Sequence, residues 1–85
     1  ALSVKVKAIN SYKCQLCGLS LEMPAGKKYA EAHHIKPLGS PHGGPDIISN
    51  MICLCPNHHA ELDYGAIKLK KEDITINQGH EISDL

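Results

Sequence analysis

Leu54-Cys55-Pro56-Asn57-His58-His59-Ala60-Glu61-Leu62-Asp63 is the stretch that decides the fold. Cys55 and His58 make a C-x2-H spacing, and Cys14-Gln15-Leu16-Cys17 makes a C-x2-C, so the whole reads C-x2-C-x37-C-x2-H. Zinc takes sulfur and nitrogen ligands tetrahedrally, and two short chelate loops brought together from distant sequence supply four of them with little strain. Four cysteines also allow two disulfides, but the tight knuckle and the lack of a visible secretory signal favour metal. A structural zinc site on Cys14, Cys17, Cys55 and His58 is expected, with Cys53 as a buried bystander that could otherwise replace Cys55 or His58.

The same stretch reads as a short helix. Pro56 suits a first helical turn, where its missing N–H is not needed, and Asn57 to Tyr64 contains good helix formers before Gly65. Successive helical residues point about 100° apart, so His58 and His59 cannot easily share one metal. Cys55 and His58 can point together into the knuckle. His59 and Asp63, four apart, lie on another face and offer one nitrogen and one carboxylate oxygen, a partial shell for a divalent cation with room for substrate.

Working outward, Tyr29 to Ile35 reads as a strand entered from Met23-Pro24-Ala25-Gly26 and left at Lys36-Pro37. Its pair His33-His34 should point to opposite sides. One imidazole can complete a metal shell while the other serves as a base, the division of labour that metal-assisted hydrolysis needs. Residues 37–46 are a loop of Pro, Gly, Ser and His, and the apolar run Ile47 to Leu54 is a second strand, giving strand, loop, strand, helix. Leu2 to Asn10 fits a strand as well as a helix, because its apolar residues stand at 2, 4, 6, 8 and 9. Ala66–Lys70 and Ile74–Ile76 alternate around Lys71-Glu72-Asp73 and predict a hairpin. Asn77 to Leu85 receives no assignment, and His80 is expected at the surface.

The chain has 85 residues, enough for one domain at most, and no Phe or Trp with which to fill a core. Something besides apolar burial must help to hold it. Its 9 basic residues, all Lys, balance 9 acidic ones, so bulk charge announces no nucleic acid and the Arg fork that most often reads guanine edges is missing. No stretch is apolar over the length of a membrane span, and no signal peptide is visible, so a cytoplasmic location is expected. A chain that begins at Ala1 is expected to be a piece of something longer.

The run Tyr29-Ala30-Glu31-Ala32-His33-His34-Ile35-Lys36-Pro37-Leu38, then Gly44-Pro45-Asp46, Asn50, and Leu54-Cys55-Pro56-Asn57-His58-His59 with Asp63 resembles the HNH endonucleases. The likeness extends over about residues 12–67 and is greatest to the bacterial cleavage domains of restriction enzymes that cut modified DNA. It implies an α+β fold, a small zinc-stabilised ββα-metal domain, here with the C-terminal hairpin added. By position it makes His34 the general base and Asn50 the residue that bonds across the loop to orient it. His33, His59 and Asp63 would hold a catalytic cation (Mg2+, Mn2+, Ni2+ or Zn2+). Lys36, just after the histidine pair, is placed to neutralise a neighbouring phosphate, and His42 is a loop side chain with DNA contact as its alternative. The family often carries Cys where His58 stands and His where Asp63 stands. DNA is the implied partner, with a separate recognition domain in the full-length bacterial protein. The competing expectation is a zinc-stabilised module that binds nucleic acid or protein and does not cut. A pure binding module has no need of His34 and His59 together.

Overall fold

Four consecutive buried residues, Met51 to Leu54, form the strand on which the rest of the chain is laid. The computed structural model describes residues 1–83. In chain order the elements are α1 (Leu2–Ile9), β1 (Leu21–Met23), β2 (Lys27–Tyr29), β3 (Glu31–His34), β4 (Met51–Leu54) and α2 (Pro56–Asp63). Single 3-10 turns lie at Pro24–Gly26, Ile48–Asn50 and Lys71–Asp73. β1 and β2 form one antiparallel hairpin, and β3 pairs antiparallel with β4 in the register His33↔Ile52 and His34↔Met51. α2 follows β4 directly, so hairpin and helix share one corner, as the strand, loop, strand, helix order predicts.

Ile52 and Leu54 pack with Cys14, Cys55 and Ile74 in the core, flanked by Leu16, Ile35, Leu62, Leu69 and Ile82. Two of the five central residues are thus cysteines of the knuckle. The ambiguous segment 2–10 is a helix, with Val6 fully buried where α1 packs on β3 and β4. Asn10 ends it, its side-chain amide donating to the Val6 carbonyl at 2.8 Å.

Three expectations need correction. The strand over 29–35 is two strands, because buried Ala30 breaks the run between β2, which pairs with β1, and β3, which pairs with β4. The second strand begins at Met51 rather than Ile47, since Ile48–Asn50 turns to bury Asn50. The C-terminal hairpin over 66–76 does not form. Thr75 instead donates its backbone N–H to the Gln15 carbonyl at 2.7 Å, and the Gln15 side chain donates to the Thr75 carbonyl at 2.9 Å. The apolar residues that suggested a strand serve as plugs, with Ile74 buried and Leu69 packed beside it.

His80 is also misplaced by the sequence reading, for it is 2% exposed. Its Nδ1 accepts from Asn10 Nδ2 at 3.1 Å and from Gln15 Nε2 at 3.3 Å, and its Nε2 donates to the Ile48 carbonyl at 3.2 Å. Gln15 Oε1 accepts from the Cys53 N–H and Asn10 Oδ1 from Asn77 Nδ2, so the polar groups of this knot are paired as burial requires. Residues 84–85 of the unassigned tail lie outside the described residues.

The loop over 37–46 is closed by a near contact of backbone. Gly44 donates its N–H to the Pro37 carbonyl at 2.7 Å, and a Cβ at Gly44 would collide with the Lys36 carbonyl oxygen. Gly44→Ala is therefore expected to destabilise the domain by about 1–3 kcal/mol, as overpacking against fixed backbone does. For a domain of this size that lowers the midpoint of thermal unfolding by roughly 5–20 °C. An unchanged midpoint would show that the loop yields freely.

Candidate functional site

The knuckles come together as their spacing predicts. A turn with the Gly18 N–H on the Cys14 carbonyl folds the first knuckle, and Cys55 caps α2 by accepting the His58 N–H on its sulfur. Cys17 Sγ lies 3.9 Å from Cys55 Sγ, and His58 Nδ1 lies 3.3 Å from Cys55 Sγ and 3.6 Å from Cys14 Sγ. Zinc–sulfur bonds of about 2.3 Å and zinc–nitrogen bonds of about 2.0–2.1 Å give tetrahedral edges of about 3.8 Å between sulfurs and about 3.6 Å between sulfur and nitrogen. The four donors therefore fit a zinc-sized tetrahedron. Burial alone would raise the Cys14 thiol, but the backbone N–H groups of Cys55, Leu16 and Cys17 outweigh it and bring it down to about 7. Desolvation beside the Cys14 and Cys55 sulfurs pushes Cys17 up to about 11, a conflict that a bound dication would relieve. Cys53 is fully buried, is pushed up to about 11 by that burial, and lies outside the cluster.

A second cluster stands on the other face of α2. His59 Nε2 and Asp63 Oδ2, one helical turn apart, are 3.3 Å from each other, and His33 Nδ1 reaches from β3 to within 3.6 Å of Asp63 Oδ1. The His33 and His59 rings meet edge to face, 5.6 Å between centroids. One ligand atom from each of the three residues falls within 4.8 Å of the others. Burial, aided by the charge of His59, lowers the pKa of His33, which favours the neutral imidazole that a metal requires. Two nitrogens and a carboxylate oxygen leave several positions open on a divalent cation, so this donor set fits a substrate-binding metal. The cluster opens to a cleft of about 350 Å³ lined also by His34, Pro37 and Leu38.

Strand alternation predicts His34 on the opposite side from His33, but it lines the same cleft, with its Nε2 2.9 Å from Asp46 Oδ1. Asn50, 2% exposed, directs its side-chain hydrogen bonds elsewhere. Its Oδ1 accepts from the Lys36 N–H at 2.9 Å, and its Nδ2 donates to the carbonyls of Lys36 at 2.9 Å and Pro45 at 2.8 Å. Asn50 thus pins both ends of the loop. Lys36 is exposed at the near end, and His42 is exposed within the loop and outside both clusters.

Sequence reasoning assigned no role to two partners of these imidazoles. Glu31 Oε2 lies 3.3 Å from His59 Nδ1, while Glu31 Oε1 accepts from the Tyr29 hydroxyl at 2.8 Å, so Glu31 orients the ring that faces Asp63. The signal was present, because Glu31 is two residues before His33 and on the same face of β3. Asp46 stands in the Gly44-Pro45-Asp46 part of the motif, and nothing local in the sequence gives it a task.

A family model described as HNH endonuclease matches residues 14–70. Among curated proteins, the type IV methyl-directed restriction enzyme EcoKMcrA of Escherichia coli K12 is 43% identical over 53 residues, covering 60% of this chain and 18% of that protein. Among solved structures, the modification-dependent TagI restriction endonuclease superposes with a TM-score of 0.85 at 35% identity, over 96% of this chain and 33% of that one. The chain therefore spans a third or less of the length of either relative. Among the described residues, no helix is long and apolar enough to cross a membrane.

Proposed function

This chain belongs to the HNH endonuclease family, and from that premise we propose that it is the metal-dependent cleavage module of a restriction-type enzyme, hydrolysing phosphodiester bonds of DNA in the bacterial cytoplasm. The observation that carries the reading is the single cleft in which His34 stands beside the His33, His59 and Asp63 cluster. Both relatives are named as restriction enzymes and both are longer, which supports a single nuclease domain working beside a separate recognition domain.

Each residue has a task in that reaction. His33, His59 and Asp63 would hold a divalent cation, Mg2+ or Mn2+ being the first choices to try. When bound, the cation supplies Lewis-acid stabilisation of the charge that develops on the phosphoryl and leaving oxygens. His34 takes the proton of the attacking water as the new oxygen–phosphorus bond forms and the bond to the 3′ oxygen breaks. Asn50 keeps the loop closed over the cleft, and Lys36 and His42, exposed on that loop, meet neighbouring phosphates. Cys14, Cys17, Cys55 and His58 hold a structural zinc that fixes the start of α2 and, through it, His59.

Supercoiled plasmid incubated with the zinc-loaded chain and Mg2+, Mn2+ or Ni2+ should be nicked or linearised, with no product when the cation is omitted and none from His59→Ala. Without its recognition domain the chain should not distinguish modified from unmodified plasmid. Intact plasmid under every cation, with zinc still bound, would overturn the nuclease reading and favour a binding module.

A further inference from the structure

We propose that Asp46 is a positioning residue for the reaction, the group through which the Asn50 clamp orients the base His34. This rests on the nuclease reading for its catalytic consequence, though not for the contact itself. Asn50 lies 14 residues from Lys36 in sequence and grips both that residue's N–H and its carbonyl, then reaches to the Pro45 carbonyl. The residue after Pro45 is Asp46, and the close approach of Gly44 to the Lys36 backbone fixes the direction in which the chain leaves the loop. Asp46 is thereby presented to His34 at 2.9 Å, although it is 63% exposed and has no burial to hold it there.

The chemistry of the pair follows from its donors and acceptors. An ionised carboxylate only accepts, so His34 Nε2 must carry the proton of this bond. In the neutral ring that leaves the lone pair on Nδ1, the atom that takes the proton from water. Without Asp46 the ring is free to turn and to exchange tautomers, and only part of its population is ready to act. Asn50 is then a residue that works at a distance. Its side-chain hydrogen bonds go to neither His34 nor the cleft cluster, and its effect on the base is relayed by one peptide unit and one carboxylate.

The test compares the zinc-loaded chain with its Asp46→Ala variant, using 15N spectra of the His34 ring, calorimetric Mn2+ affinity and steady-state plasmid cleavage. In the unsubstituted chain Nε2 should be protonated and Nδ1 not, and in Asp46→Ala the two signals should move toward the average of mixed tautomers. Removal of an outer partner of this kind should cost about 10- to 100-fold in kcat, with KM and Mn2+ affinity changed by less than about twofold. Unchanged ring signals, or a kcat within about twofold of the unsubstituted chain, would overturn the proposal. So would a parallel loss of Mn2+ affinity, which would make Asp46 a metal ligand instead. If the unsubstituted chain cuts no DNA, the nuclease reading fails, and the ring spectra alone decide whether Asp46 holds His34.

Discussion

His34→Ala is expected to lower DNA cleavage by about 100- to 10,000-fold, the usual contribution of a positioned general base, while zinc content and fold stay as they are. His34 is half-buried on β3, and Asp46, which its ring meets, is exposed, so truncation leaves no buried carboxylate unpaired and opens no core cavity. The cluster of His33, His59 and Asp63 does not include it, so cation affinity should survive as well. That combination separates a base from a ligand. Single-turnover cleavage beside zinc analysis and far-ultraviolet circular dichroism would measure it. Cleavage retained within about tenfold of the unsubstituted chain would remove His34 from the role of base.

The largest effect on stability should come from removing zinc. Structural zinc in small domains carries about 10–16 kcal/mol of apparent binding free energy at neutral pH, as large as the whole net stability usual for a small domain. Here the dependence is sharpened by the makeup of the core, because Cys14 and Cys55 belong at once to the proposed zinc-donor set and to the central packing beside Ile52, Leu54 and Ile74. Chelation, or Cys14→Ser, should abolish the cooperative thermal transition. Zinc added back should restore it in the chelated protein but not in the variant. Cys53→Ala is the matching control, since Cys53 is equally buried and lies outside the donor set. It should keep its zinc and its fold, with only the modest loss that a small cavity brings. An unaltered transition after complete chelation would show that the polar and apolar core suffices.

Why the cysteines and histidines converge was legible from spacing, because metal chelation and helical or strand periodicity act over three or four residues and leave a mark in the sequence. The division of His58 from His59 needed only the directions in which neighbouring helical side chains point, whereas His33 and His34, expected on opposite sides of β3, line one cleft. What escaped was set by partners far away in the chain. Asn10 meets His80 across 70 residues, and Gln15 meets Thr75 across 60. Nothing local marks His80 as buried or turns the alternating segment 66–76 away from a hairpin. The helix over 2–9 was undecidable for a related reason, since one buried residue, Val6, leaves almost no periodic trace. Ala30 between β2 and β3 likewise gives no sequence signal that one apparent strand serves two sheets.

α2 carries donors for both clusters on consecutive residues, His58 toward the knuckle and His59 toward the cleft. Its length is therefore far less negotiable than its composition. Deleting or inserting one residue between Cys55 and Asp63 would rotate everything beyond it by about 100° and slide it about 1.5 Å along the axis, unpicking one donor set whichever is kept. Ala60, exposed and in neither donor set, can change identity freely by comparison. Relatives that share this helix should tolerate substitutions along it and insertions in the loop between Pro37 and Gly44, while gaps inside the helix should be incompatible with keeping both donor sets.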